Sequence, residues 1–363
     1  MRNNLLPLTF TRPIADLRVG VMTIREKWQR VFPGSYSYFT ADYLQEKFPI
    51  AITDDNLFVA GNICPSPALV SNIEALGMGE ALLSSKGEMM AFRGNMEDFN
   101  SRKFAREIIC DDDCLTIAML YDIFMENNRG IVEDYAILTR GRTGEPLSET
   151  NIVIGSPIGV DGTPLIFIEE GASVEGAVLN VKNGPIYVGR NAEVMEGSCL
   201  RGPVALCEHA IINMGTKVYG ASTFGPYCKV GGEVNNVVMM GYSNKAHEGF
   251  LGNAVIGEWC NIGGGTTASN LKNDYTEIKL WNYPAHRFLR TGLQFCGLIM
   301  GDHSKTGINC MFNTATVLGV GVNIHGSGFP RNFVASFSEG GASGFSDVPL
   351  PKFFDIARRM MAR

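Results

Sequence analysis

The sequence predicts two domains of different classes, an α/β domain over residues 1–150 and a solenoid of short parallel strands over 151–345, followed by a C-terminal helical tail at 346–363. Two observations predict this. Apolar residues recur every six positions in the second domain, whereas apolar strand-like runs alternate with helical patterns in the first. The 42 glycines, most of them after residue 150, agree with a solenoid rich in corners.

The six-residue repeat is the strongest pattern in the chain. A step of six fits neither a helix nor an ordinary strand pair. It indicates a triangular solenoid in which each hexad forms one flat side, one residue per hexad points inward, and three hexads make a coil. Coils then stack about 4.8 Å apart. We expect glycine at corners that need a positive φ. Eight consecutive hexad positions are aliphatic or Phe: Val188, Val194, Leu200, Leu206, Ile212, Val218, Phe224 and Val230.

The first 150 residues have a different pattern. Thr23-Ile-Arg-Glu26 is a capping box that predicts a helix to about Val31. Leu57–Ala60 and Tyr135–Leu138 are predicted as buried strands, and the alternation of strands with helices favours an open, largely parallel sheet. Ligands of such sheets bind at the carboxyl ends of strands.

Three basic residues follow the expected first strand of this domain. Arg12, Arg18 and Lys27 are candidates to hold a nucleotide or sugar phosphate, and surface pairing with Asp16 and Glu26 is the alternative. A divalent-ion site at Asp111–Asp113 is a weaker hypothesis than a helix cap there.

Composition limits the classes of function. The net charge of −6 gives no overall attraction to nucleic acid or to an anionic membrane. The nine cysteines have neither a Cys-x-x-Cys pair nor metal-ligand spacing, which predicts a reducing compartment. No apolar run approaches 18 residues, so we expect a cytoplasmic protein without membrane insertion. Because metal-ligand spacing is absent, we also expect no bound metal in the solenoid.

A polar cluster stands where the six-residue repeat is interrupted, at 231–249 and again at 269–299. It contains Lys245, His247, Asn261 and Asn270. Histidine is suited to act as a general base because its ordinary pKa lies near neutral pH. We therefore expect the site at this interruption.

Several long motifs resemble the bifunctional N-acetylglucosamine-1-phosphate uridylyltransferase/glucosamine-1-phosphate N-acetyltransferase family, in a variant form. They are Pro7-Leu-Thr-Phe-Thr-Arg-Pro13, Thr23-Ile-Arg-Glu-Lys-Trp28, Lys229-Val-Gly-Gly-Glu233 and Asn270-Leu-Lys-Asn-Asp274. The resemblance implies a Rossmann-like sugar-nucleotidyltransferase domain followed by a left-handed parallel β-helix that trimerises. It implies acetyl-CoA, a sugar phosphate and a nucleoside triphosphate as partners, with Mg²⁺ for the first domain.

The resemblance also implies roles for individual residues. His247 corresponds to the acetyl-transfer base, Asn261 to a sugar-phosphate contact, Gly264 to a position beside the thioester, and Asn270 to an orienting asparagine. Phe250 and Leu271 stand where the family has tyrosines, which bears on the acceptor sugar.

In the first domain the resemblance is partial. Thr11, Arg12 and Lys27 match the nucleotide-binding signature, but the glycine-rich loop before Thr11 is absent. Asn62 replaces a metal-binding aspartate, and a neutral amide is a poorer Mg²⁺ ligand than a carboxylate.

Acetyl transfer also needs oxyanion and phosphate contacts. The N–H groups of Gly263, Gly264 and Gly265 or the Asn270 amide are candidates for the oxyanion, and Lys229, Lys245 and Lys272 are candidates for the sugar phosphate.

The leading hypothesis is N-acetylation of glucosamine 1-phosphate by acetyl-CoA, coupled to nucleotidyl transfer that gives a UDP-sugar. One alternative is a glucose-1-phosphate thymidylyl- or uridylyltransferase with the solenoid as scaffold. Another is a non-catalytic assembly protein that binds sugar nucleotides. Packing of open prisms side by side predicts a homotrimer with sites between subunits.

Overall fold

The computed structural model describes residues 1–362, and Arg363 lies outside the described part. The chain forms two compact units. The sheet unit contains Thr11–Leu17 and Met22–Ala118, and the solenoid unit contains Met1–Phe10, Arg18–Val21 and the chain from Met119 onwards. The predicted combination of an α/β part with a parallel solenoid is confirmed. By packing, the division falls at 118 instead of 150, since the helices after 119 pack on the solenoid.

The sheet unit is built on four strands in a mixed sheet, so the expectation of a largely parallel sheet is wrong. Two of its three pairings are antiparallel, and one, between Glu80–Ser84 and Arg106–Cys110, is parallel. The reason is the short connection after Ser84, because a few residues can join only antiparallel neighbours. In spatial order the strands are Asn56–Val59, Met89–Gly94, Glu80–Ser84 and Arg106–Cys110.

The helices of the sheet unit begin at recognisable caps. The Thr23 side chain accepts from the Glu26 N–H (3.2 Å) and the Glu26 carboxylate accepts from the Thr23 N–H (2.7 Å), which confirms the capping box. The α-helices are Ile24–Val31, Pro67–Glu74 and Met96–Ser101, and the 3-10 turns are Ile14–Asp16 and Asp42–Leu44.

The strand predicted at Tyr135–Leu138 is wrong, because these residues end the helix Asn127–Thr139 of the solenoid unit. Ile131, Tyr135 and Leu138 are all buried, and their spacing of four and three is that of one helical face. A window of four residues was too short to show this period. The unit also contains the helices Asp122–Met125 and Leu350–Met361 and the 3-10 turns Arg2–Leu5 and Leu8–Phe10. No helix in residues 1–362 is long and apolar enough to cross a membrane.

The solenoid is three stacks of parallel strands, which we name faces A, B and C in the order in which the chain visits them. Two long strands, Glu233–Gly241 and Phe250–Glu258, each turn from face A to face B. Face A also contains Ile152–Ile154, Val178–Asn180, Cys199–Arg201, Lys217–Tyr219, Thr267–Ala268 and Met311–Phe312.

Face B continues with Ile166–Ile168, Ile186–Val188, Val204–Leu206, Ser222–Phe224, Ile299–Met300, Val317–Leu318 and Phe333–Val334. Face C contains Ser173–Val174, Glu193–Val194, Ile211–Ile212, Lys229–Val230, Asn244–Lys245, Lys305–Thr306, Asn323–Ile324 and Ser338–Gly341. An antiparallel strand, Gly344–Asp347, ends face C, and a hairpin of Lys279–Asn282 with Arg287–Arg290 leaves the prism between faces A and B.

The inward row predicted from the repeat is confirmed. All eight hexad residues from Val188 to Val230 are at most 2% exposed and belong to one continuous core. One coil cannot bury its inward residues alone, so each relies on the coils above and below it.

Glycines that follow inward residues serve a different purpose from the one expected. Gly231 and Gly263 do not have a positive φ. A Cβ on Gly231 would lie 2.3 Å from Ala246 O, and one on Gly263 would lie 2.2 Å from Gly307 O. These positions therefore require glycine because consecutive coils approach too closely for a side chain.

The corner between faces B and C has a positive φ in successive coils, yet aromatic residues occupy it. The rings stack with centroids 4.3–6.3 Å apart and planes within 19° of parallel. Stacking of this kind offsets the cost of the left-handed backbone. The residues of this aromatic ladder are His209, Tyr227, Tyr242, Trp259 and His303.

We predict that Phe224→Ala lowers the free energy of unfolding of the solenoid by about 3–5 kcal/mol, because it leaves a cavity in a row that is fully buried. Denaturant unfolding followed by circular dichroism measures the change. Phe329→Ala is the control, since Phe329 is half exposed and should change stability by less than about 1 kcal/mol. Equal effects of the two variants would contradict the inward row.

Candidate functional site

His247 lies on the outside of the solenoid, at the corner between the face C strand Asn244–Lys245 and the face A strand that begins at Phe250. Its side chain is exposed. The imidazole packs against the next coil at Gly264, where an added Cβ would be 3.3 Å from the His247 Cβ and 3.6 Å from its Cγ. The structure thus brings together His247 and Gly264, which the sequence analysis placed at one site.

A row of polar side chains runs along the outer surface of face C beside this corner. Lys229 pairs with Asn244, Asn244 with Asn261, and Asn261 with Lys305 in the next coils. Their strand neighbours Val230, Ile262 and Thr306 are buried, so these four side chains face outward. We name Lys229, Asn244, Asn261 and Lys305 the polar row.

Lys305, like Asn244, is a member of the row that the sequence analysis did not assign to the substrate. Burial lowers the pKa of its ammonium. Within residues 1–362 no carboxylate pairs with it, and its Nζ donates to His303 O (2.8 Å). A cation that is partly desolvated and lacks an acidic partner is suited to bind an anion.

Lys245 does not belong to this row, and the prediction that it binds substrate is wrong. Its side chain points into the core and is 2% exposed. The Nζ donates to Gly231 O (2.8 Å) and to His247 O (2.9 Å). The strand register places Lys245 above inward-facing Val230, which fixes this direction.

Two of the three glycine N–H groups proposed for an oxyanion are already used by the fold. Gly263 N donates to Thr306 Oγ1 (3.0 Å) and Gly265 N donates to Glu248 O (2.8 Å). The expectation for Gly263 and Gly265 is therefore wrong, since a bonded donor inside the coil is not directed at a ligand. Gly264 keeps its predicted place against the imidazole.

Asn270 is held at the corner between faces A and B by a ladder of asparagines in successive coils. Its Nδ2 donates to Asn253 Oδ1 (2.8 Å). With the Asn236 amide oxygen and nitrogen exchanged, the orientation that satisfies both atoms, Asn236 accepts from the Asn253 amide (3.0 Å) and donates to Phe124 O and Ala221 O. The Phe250 ring and the Asn270 amide both lie against Gly252, where an added Cβ would be 2.5 and 2.7 Å from them.

Lys272 lies in the loop after Asn270 and not on the polar row. Its Nζ donates to Thr276 Oγ1 (3.3 Å) and Glu277 O (3.1 Å). The side chain lines an open groove of about 450 Å³. The other lining residues are Ser269, Leu271, Asn273, Asp274, Asn313, Thr314 and Asn332.

The cysteines near the site are packing residues. Cys228 and Cys260 are fully buried, and burial raises the pKa of each thiol to about 12. A thiol is a weak nucleophile when it stays protonated, so neither cysteine is suited to form a covalent intermediate.

The residues predicted to bind a nucleotide are divided between the units. Thr11, Arg12 and Lys27 are in the sheet unit, where Arg12 and Lys27 are 6% and 3% exposed. Arg18 is in the solenoid unit, where its Nε donates to Met240 O (3.2 Å) and its Nη1 to Val21 O. These bonds anchor the Arg18–Val21 segment to the solenoid, and the nucleotide-binding role of the set stays a prediction.

The metal-site candidates from the sequence are Asn62 and the segment Asp111–Asp113. The Asn62 side chain is buried, and the Asp112 carboxylate accepts from Ser66 Oγ, which itself caps the helix Pro67–Glu74. Residues 1–362 contain no group of three His, Cys, Asp or Glu side chains arranged to hold a metal ion.

A family model described as sugar nucleotidyl transferase matches residues 1–143. Among curated proteins, the chain is 31% identical over 173 residues to a bifunctional sugar-1-phosphate nucleotidylyltransferase/acetyltransferase of Sulfurisphaera tokodaii, an alignment that covers 44% of this chain and 40% of the relative. It is 33% identical over 87 residues to the bifunctional protein GlmU of Methanocaldococcus jannaschii, which covers 24% and 21% of the two chains. The resemblance inferred from the motifs is confirmed, and the chain matches less than half the length of each of these relatives.

Among solved structures, the chain is similar to a mutant of AntD, an N-acyltransferase from Bacillus cereus in complex with dTDP-4-amino-4,6-dideoxyglucose and coenzyme A. The match has a TM-score of 0.24 and 10% identity, and covers 58% of this chain and 90% of that chain. A score this low carries no argument, so the solenoid assignment depends on the strand pairing described above.

Proposed function

We propose that the solenoid transfers the acetyl group of acetyl-CoA to the amine of an amino-sugar 1-phosphate, with glucosamine 1-phosphate as the first substrate to test. One observation carries the proposal: an exposed imidazole at a corner of the solenoid packs against Gly264, beside an outward row of two lysines and two amides. The similarity to bifunctional nucleotidylyltransferase/acetyltransferases supports this chemistry.

In this mechanism His247 is the general base. The sugar nitrogen attacks the thioester carbonyl carbon and forms the C–N bond, while the imidazole accepts the proton that the nitrogen releases. The tetrahedral intermediate then collapses, the C–S bond breaks, and the imidazolium returns its proton to the departing thiolate. The transfer is balanced without a covalent enzyme intermediate, which agrees with the protonated, buried thiols of Cys228 and Cys260.

The polar row supplies the contacts for the sugar phosphate. Lys229 and Lys305 are cations on either side of the amides of Asn244 and Asn261, and a phosphate takes charge-assisted bonds from ammonium groups. The Gly264 N–H and the Asn270 amide are the remaining candidates for the oxyanion. The Asn270 Nδ2 has a second N–H, and its orientation is fixed by Asn253.

We also propose that the N-terminal part transfers a nucleotidyl group to the sugar phosphate, so that the two activities together give a UDP-sugar. The family model over residues 1–143 supports nucleotidyl transfer. The described residues offer no protein ligand set for Mg²⁺, so no step is assigned to a protein-held ion. The homotrimer expected from the sequence also stays a proposal, which light scattering on the purified chain decides.

We predict that His247→Ala lowers the rate of thiol release from acetyl-CoA with glucosamine 1-phosphate by about 10²–10⁴-fold, since a positioned base contributes that much. A thiol-reactive dye follows the product. His286→Ala is the matched control, because His286 is exposed on the hairpin away from the corner, and it should keep wild-type turnover. Unchanged turnover in His247→Ala would remove this residue from its role.

We predict that Lys305→Ala lowers kcat/KM for glucosamine 1-phosphate by about 10- to 100-fold, the value of a charge-assisted hydrogen bond of roughly 1.5–3 kcal/mol. The effect should appear in KM and should be absent with unphosphorylated glucosamine. Lys279→Ala on the exposed face of the hairpin is the control. An equal loss with both acceptors would show that Lys305 does not bind the phosphate.

The nucleotidyl activity has its own test. With Mg²⁺, UTP and a sugar 1-phosphate, we predict pyrophosphate release that falls at least about 10-fold in Lys27→Ala, as expected when a phosphate loses its cation. TTP in place of UTP distinguishes a thymidylyltransferase. Pyrophosphate release without thiol release would favour the alternative in which the solenoid is a scaffold, and the absence of both activities would favour a binding protein.

A further inference from the structure

The core of the solenoid contains one feature that packing alone does not explain. Within residues 1–362 the inward positions of face C are aliphatic, Thr or Gly except for Lys245, which is 2% exposed. Burial of an ammonium among apolar side chains is costly. An aliphatic residue, as at Val230 one coil earlier, would fill the same space without that cost. The lysine must therefore do something that a hydrocarbon side chain cannot do.

The contacts of the ammonium show what that is. Its two acceptors are Gly231 O at 2.8 Å and His247 O at 2.9 Å. The first belongs to the corner of the preceding coil and the second to the residue that carries the exposed imidazole. A single Nζ therefore joins two consecutive corners from inside the prism.

The coil between these two corners is shorter than the coils before it. Inward residues on face C are eighteen positions apart from Val194 through Ile212 to Val230, but Lys245 follows Val230 after fifteen. The turn is also held by Asn213 Nδ2, which donates to Ala246 O (2.7 Å), by Glu233 N, which donates to Gly249 O (3.2 Å), and by Gly265 N, which donates to Glu248 O. An exposed ion pair joins Lys217 to Glu248 (3.7 Å). Surface ion pairs contribute little, and the hydrogen bond to the His247 carbonyl itself comes from Lys245.

We propose that Lys245 is a positioning residue for His247, in which the buried ammonium fixes the main chain of the turn so that the imidazole is presented to the acceptor amine. The proposal rests on the proposed acetyl transfer. Lys245 acts through the backbone and touches neither substrate. A displacement of the base by about 1 Å is enough to reduce the rate of a catalysed step by about 10²-fold.

The lowered pKa of Lys245 agrees with an ammonium whose burial costs folding free energy. Burial lowers the pKa of Lys245 to about 8, with a smaller lowering from Lys217 and opposing effects of Glu248 and Glu233. Between this value and the ordinary lysine pKa, the unfolded chain binds more protons than the folded one. Stability should therefore rise with pH from about 8 towards 10.5. Without Lys245 this rise should be absent.

The test compares Lys245→Met with wild type and with Ile212→Met, which places the same side chain at an inward position two coils earlier on face C. We expect Lys245→Met to melt at or above the wild-type temperature at pH 7 and to lose the rise in stability above pH 8. We expect kcat for thiol release to fall about 10- to 100-fold, with KM for acetyl-CoA within about twofold. We expect Ile212→Met to keep the wild-type kcat.

Hydrogen exchange measures the positioning without relying on activity. In Lys245→Met the amides of residues 246–249 should exchange faster, while those of the strands from 186 to 224 should be unchanged. If Lys245→Met does not fold, Lys245→Gln is measured in the same way, because one amide group cannot reproduce both bonds of the longer lysine.

The outcomes separate the two proposals. Wild-type kcat together with wild-type exchange in the Lys245 variant overturns the positioning role. Loss of stability that matches the loss of kcat, with exchange faster throughout the solenoid, also overturns it in favour of a structural role. If wild type releases no thiol with any amino-sugar phosphate, the proposed function fails, and the exchange at 246–249 alone decides for or against Lys245.

Discussion

Every coil of the solenoid depends on the uninterrupted stacking of inward side chains along the prism. A coil of some eighteen residues has too little apolar surface to be stable alone, so its inward residues become a core only when the next coil covers them. The row from Val188 to Val230, at most 2% exposed, shows how fully this is achieved. The outward side chains of each strand do not contribute to this core. They can therefore be polar without loss of packing. Face C uses that freedom for the polar row.

The corners are fixed by a second constraint, the short distance between coils. It excludes a Cβ at Gly231 and Gly263, where a backbone carbonyl oxygen of the next coil lies 2.2–2.3 Å from the position that the Cβ would take. At another corner the backbone is left-handed, and stacked aromatic rings stabilise it in place of glycine. The same close stacking places Gly264 directly against the His247 ring. A methyl group at that position would lie 3.3 Å from the His247 Cβ and in ordinary van der Waals contact with the ring.

The site stands where these constraints are least well satisfied. The repeat shortens before His247, and a lysine takes the place of an aliphatic residue in the core. A functional site can require a conformation that packing alone would not hold, and such a site lowers the stability of the fold. The ammonium of Lys245 links the core to the corner that carries His247, because its two hydrogen bonds end on main-chain carbonyls at Gly231 and His247.

The asparagine ladder is a second link of this kind, on the other side of face A. It connects Asn270 through Asn253 and Asn236 to the helix at Phe124. Side chains that recur at one corner in successive coils can hydrogen-bond directly, because the coils are only about 4.8 Å apart. A side chain at the end of such a ladder has its orientation fixed before a ligand arrives, which is the condition for effective stabilisation of developing charge.

The period of six by itself determined the solenoid, because only one residue in six has to be apolar and the pattern persists through eight hexads. The capping box at Thr23 and the place of His247 at a break in the repeat were also local properties, so they could be predicted. Pattern could not show that the short connection after Ser84 makes the sheet mixed, or that Tyr135–Leu138 ends a helix, because both depend on the partners of those segments. The inward direction of the Lys245 side chain followed from its register with Val230. Lys305 lies beside Asn261 because the intervening loop separates them by 44 positions in the chain but leaves them in adjacent coils. Such contacts are decided only in the tertiary structure, because stacking of coils brings residues together by their position on a face and not by their distance along the chain.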